Sequence, residues 1–79
     1  EYDRAAASAA ISALVAEKLE APLLAAQSHL ARADYLERTS SDSEIRLAYA
    51  SAARWYRIAN VDRLARRAER TIARQPRAS

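Results

Sequence analysis

Thr39-Ser40-Ser41-Asp42-Ser43-Glu44-Ile45 divides the chain. The five polar residues from Thr39 to Ser43 bond readily to their own backbone and so compete with helix. Ser41 followed three residues later by Glu44 reads as a capping box, with Ile45 opening an apolar series behind it. The spacing therefore predicts a turn at 39–43 with a helix starting at its end.

Upstream, Ile11, Val15, Leu19, Leu23, Ala26, Leu30, Ala33 and Leu36 recur every three or four positions as one helical stripe. Pro22 interrupts the stripe without shifting its phase, so the favoured reading is one long helix kinked near Pro22 rather than two helices. Downstream, Ile45, Ala48, Tyr49, Ala52, Trp55, Tyr56 and Ala59 form a second series, which resumes as Val61, Leu64, Ala65, Ala68 and Ile72. Its phase slips near Asn60, which leaves either one helix or two meeting there, and Gln75-Pro76 ends it.

Composition supports helix throughout. Alanine fills 21 of 79 positions, and there is no glycine for a tight β-hairpin. The fold class expected is all-α, a single domain over 1–79: an antiparallel helical hairpin that pairs with a second copy into a four-helix bundle. Four shorter helices closing a small bundle within one chain are the alternative. Pairing is preferred because the large apolar side chains number only 19, eight Leu, four Ile, two Val, four Tyr and one Trp, and chains this short draw little stability from a lone core. An opening residue of Glu1 rather than methionine is what a fragment of a longer chain would show.

The absence of cysteine removes disulfides, thiolate nucleophiles and the common zinc patterns. No stretch is apolar and long enough for a membrane span or a signal peptide, so a cytoplasmic place is expected. His29, Asp34 and Glu37 make a poor metal set, and Glu17 with Glu20 or Asp42 with Glu44 have helical and capping reasons to be where they are. No cofactor, metal or enzymatic activity is expected.

Charge is uneven: residues 1–53 carry net −3, whereas residues 54–79 hold eight arginines against Asp62 and Glu69, net +6. Arg63, Arg66, Arg67, Arg70 and Arg74 return to one side of a helix and form a ridge that suits nucleic acid. Abundant arginine and alanine with a single lysine, Lys18, also fits the codon usage of a GC-rich, bacterial genome. Trp55 and Tyr56, flanked by Arg54 and Arg57, combine the side chains that dominate binding hot spots. Neighbours on a helix lie about 100° apart, so one of the two rings is expected to face outward.

Ser28-His29-Leu30-Ala31-Arg32-Ala33 resembles the phosphoacceptor box of histidine phosphotransfer domains, with a base three residues after the histidine and a small residue four after it. The run is also similar to the dimerisation box of sensor histidine kinases, whose helical hairpins pair into four-helix bundles. Asp34 stands where the kinase box has proline, and Ala33 where the phosphotransfer box usually has glycine. The resemblance implies His29 as phosphoacceptor on a bundle flank. Ala59-Asn60-Val61-Asp62-Arg63 through Ala68-Glu69-Arg70 to Pro76 resembles the second half of a tetratricopeptide helix pair, although Leu64 replaces the usual alanine and no 34-residue copy precedes it.

The function expected is a non-enzymatic interaction or dimerisation module with a regulatory or assembly role. Tyr49, Trp55, Tyr56, Arg63, Arg66, Arg67 and Arg70 would touch the partner, either a second copy or a larger protein. Phosphorelay through His29 and nucleic-acid binding along the arginine ridge are the alternatives.

Overall fold

The computed structural model describes residues 1–38 and 42–74, and among them every regular element is an α-helix. Helix α1 spans Tyr2–Lys18, α2 Pro22–Leu36, α3 Asp42–Ile58 and α4 Asp62–Arg74. The Ser41 capping partner and the stop at Gln75-Pro76 lie outside the described residues; α3 begins at Asp42, where a cap at Ser41 puts the helix start, so the expected turn at 39–43 ends before Asp42.

The long kinked helix expected around Pro22 is replaced by two helices. Glu20 adopts a left-handed φ of 54° and reverses the chain. The amide of Ala21 donates to the Ala16 carbonyl at 2.9 Å and that of Glu20 to the Glu17 carbonyl at 3.1 Å, the paired bonds of a Schellman stop. Pro22 then occupies the first turn of α2, where a missing amide hydrogen costs nothing. Its fixed φ starts a helix here instead of bending one.

The same turn recurs forty residues later. Asn60 has φ 63°, Val61 donates to the Tyr56 carbonyl at 2.8 Å and Asn60 to the Arg57 carbonyl at 3.0 Å. The slip of phase seen near Asn60 is thus a full break between α3 and α4. The chain consists of two helix pairs, α1–α2 and α3–α4, whose turns superpose in sequence at a period of 40. No repeat of that length is visible in the side chains, because Glu20-Ala21-Pro22 and Asn60-Val61-Asp62 share a backbone course but no residue.

Within each pair the helices pack on each other, and α2 packs on α3 to join the pairs. The chain does not close into a bundle by itself: among the described residues, α1 makes no close backbone approach to α3 or α4, and α2 makes none to α4. The result is a slab of 35 × 27 × 14 Å, thin enough for two layers of helices.

Two kinds of packing hold it. α2, α3 and α4 share a core in which Ile45, Tyr49 and Tyr56 are the bulky buried members, with Leu30, Leu36, Trp55, Val61, Leu64 and Ile72 packed around them. α1 instead buries Ala6, Ala9, Ala13 and Ala16, a seam with no large side chain. The Ile11, Val15, Leu19 stripe expected to face the core points the other way, and these residues are 62, 50 and 71% exposed. Alanine lets α1 lie close to α2, and the reversal at Glu20 removes any need for the stripe to keep phase with α2.

Candidate partner-binding cleft

Because α2 and α4 both rest on α3 and not on each other, a cleft of about 520 Å³ runs between them. The α2 wall is Gln27, Leu30, Ala31 and Asp34; the α4 wall is Leu64, Arg67, Ala68 and Thr71; the α3 floor is Tyr49 and Tyr56. Each wall repeats at intervals of three, one and three, which is two turns of one helix face. Leucine, alanine and tyrosine edges make the interior apolar, with Asp34 on one wall and Arg67 on the other.

Both floor tyrosines are held neutral. Burial, then the hydrogen bond from Tyr49 Oη to the Glu37 carboxylate and the charges of Glu37 and Asp34, keep the Tyr49 phenol well above its ordinary range. Burial raises Tyr56 as well, with the Arg67 guanidinium working against it. Phenols in this state give the cleft an aromatic floor without charge.

Of the residues expected to touch a partner, Tyr49, Tyr56 and Arg67 converge on this cleft. Arg63, Arg66 and Arg70 are exposed along α4, outside its lining. Trp55 is the outward ring of the Trp55–Tyr56 pair, but only half-buried and already engaged: its Nε1 donates to Glu17 Oε2 at 3.0 Å. The same oxygen meets His29 Nε2 at 2.6 Å, so one carboxylate on α1 ties together α2 and α3. His29, expected on an exposed flank, is 7% exposed, and its Nδ1 is buried without a partner. In the second pair Arg57 and Glu69, forty residues beyond Glu17 and His29, form a bidentate pair at 2.6 and 3.2 Å. Each pair therefore has a polar clasp at the same place, part-buried in one and exposed in the other.

Gln27, Leu30, Asp34, Leu64 and Thr71 were not among the residues expected from sequence to touch a partner. Their three-and-four spacing was there to be read, but which helices flank a common floor depends on packing across the chain. Among the described residues there is no group of three or more His, Cys, Asp or Glu side chains able to hold a metal, and no helix long and apolar enough to cross a membrane. Comparison with protein families, characterised proteins and solved structures finds no match for this chain.

Proposed function

We propose that this protein is a non-enzymatic interaction module that seats an amphipathic helix of a larger partner in the cleft between α2 and α4. The observation that carries this reading is the pair of helical walls, two turns long, over an apolar tyrosine floor. A helix laid there would complete a four-helix arrangement with α2, α3 and α4, the geometry in which such faces pack best. Asp34 and Arg67 favour a guest whose basic flank lies along α2 and whose acidic flank lies along α4.

The test is selection of displayed helical peptides against the purified chain, followed by binding to Ala31→Arg and Thr71→Arg, which fill the cleft from partly exposed wall positions. Selected peptides should lose at least about tenfold in affinity to each variant. Failure to enrich any helical peptide, or binding indifferent to both changes, would overturn the reading.

A second reading, nucleic-acid binding, rests on the exposure of Arg63, Arg66, Arg67, Arg70 and Arg74 along α4. It requires an affinity that falls steeply with salt and weakens when Arg66 and Arg70 become alanine, and salt-insensitive or undetectable binding dismisses it.

A further inference from the structure

The two ends of the slab are finished differently. The α2 residues that dock onto α3 include Ala26, Leu30 and Ala33. Forty residues on, α4 carries Arg66, Arg70 and Ala73, all exposed. Arginines at docking positions are a polar cap, and nothing of the same shape can stack onto that end. At the other end the reverse holds. Ser51 and Trp55 on α3 and Ala59 just past its end are half-buried, Trp55 being bonded to Glu17 of the first helix pair, whereas their counterparts Ile11 and Val15 on α1 and Leu19 just past its end are exposed. Leu14, 58% exposed, and Leu23 and Leu24 beside the following turn, 44 and 52% exposed, bring to six the large apolar side chains left uncovered between Ile11 and Leu24.

We infer that this α1 face is a homodimer interface, with α1 of a second copy packed antiparallel across a two-fold axis between Ile11 and Leu14. The arginine cap on α4 forbids head-to-tail stacking, so two copies satisfy their open ends only face to face, which closes the assembly at two. Charge on the face fits that symmetry. Arg4, Ile11 and Lys18 lie seven residues apart on one side of α1, and Glu20 follows its end. Antiparallel pairing about this axis sets Ile11 against the partner's Leu14 and Arg4 beside the partner's Glu20, twice. Parallel pairing would oppose Arg4 to Arg4 and Lys18 to Lys18. The area is adequate too: two such faces, with the intervening alanines and the Arg4 and Lys18 stems, cover on the order of 1,000 Å², about the lower bound for a specific pair. This face is on the opposite side of α1 from the alanine seam and shares no residue with the cleft, so the two proposals stand or fall separately.

Light scattering of the whole chain from about 1 to about 200 µM should show a monomer–dimer equilibrium. Ile11→Glu and Leu14→Glu, both at exposed positions and so compatible with folding, should weaken the dimer at least about tenfold while leaving helical circular dichroism unchanged. Arg4→Glu should weaken it several-fold, and adding Glu20→Arg should restore it. The cleft variant Thr71→Arg should leave it intact. A chain that stays monomeric throughout this range, a dimer indifferent to Ile11→Glu, or a charge exchange that fails to rescue would each overturn the inference, the first pointing to a different protein as occupant.

Discussion

Glu17 does more than its place near the end of a helix suggests. Its Oε2 is shared between His29 Nε2 and Trp55 Nε1, so removing the carboxylate strands a ring nitrogen and an indole donor that water reaches poorly. Hydrogen bonds to a charged group each contribute about 1.5–3 kcal/mol, partly recovered here by solvent, so Glu17→Ala should cost about 2 kcal/mol in a urea titration. Trp55 is the single tryptophan and would report the loss as a red-shifted emission. Glu69→Ala, which breaks the exposed counterpart, should leave the midpoint where it was. Glu20 is a residue under strain, since a side chain with a Cβ in the left-handed region costs about 1 kcal/mol that glycine escapes. Glu20→Gly should raise stability by about 0.5–1 kcal/mol and show as a higher melting temperature. Tyr49 and Tyr56 set the alkaline limit. Their phenols titrate higher in the folded chain than in the unfolded one, so the unfolded chain releases protons first. Stability should stay level below about pH 9 and fall as pH rises past about 10, where an unfolded tyrosine ionises. Melting temperatures at intervals to pH 11 would show the fall, and Tyr49→Phe should make it shallower.

At the scale of helices, what could be read beforehand was what depends on local chemistry. Twenty-one alanines without a glycine specify helix, the run at 39–43 specifies a break, and Asn60 is a residue that tolerates the left-handed turn it makes. Glu20 makes the same turn without any such signal, and a proline two residues on looks the same whether it kinks a helix or begins one. The buried side of α1 was misleading for a further reason. Ile11, Val15 and Leu19 have the spacing of a core stripe and are more apolar than the alanines on the opposite side of the helix, so hydrophobicity names the wrong face; the choice is made by how closely α2 can approach. For the cleft, Tyr49, Tyr56 and Arg67 were legible as bulky or charged residues in series, whereas Asp34 and Leu30 join them only because α2 and α4 straddle α3. The seam itself is testable. Ala13 is fully buried in the seam where α1 meets α2. Ala13→Leu should destabilise by about 1–3 kcal/mol through overpacking, although leucine is as good a helix former and more apolar. Ala7→Leu, at an exposed position on the same helix, should be close to neutral, and equal melting temperatures for the two variants would show that the seam is loose.

For the whole molecule, the open arrangement matters more than any single contact. A closed bundle shares each helix among several neighbours and opens as one unit; here α3 alone is flanked on both sides by helices with a common core, while α1 rests on an alanine seam, the Glu17 clasp and the Arg38 guanidinium over the Tyr2 ring. Small side chains bury little area each, so α1 should open before the rest unfolds. Native-state hydrogen exchange should accordingly rank the amides, slowest in the middle of α3, faster in α4 and fastest in α1, with α1 opening at a free energy below that of global unfolding. Four helices exchanging at one common free energy would mean that the slab behaves as a single cooperative unit despite its shape. The ranking also couples to assembly. If a second copy covers Ile11, Leu14 and Val15, protection of α1 should rise with protein concentration while that of α4 stays constant, because a second copy binds the chain with α1 docked and not the chain with α1 detached, so association opposes the opening of α1. Concentration-dependent slowing confined to α1 would thus connect the weakest part of the fold to the surface it leaves uncovered, and slowing spread evenly over all four helices would place the contact elsewhere.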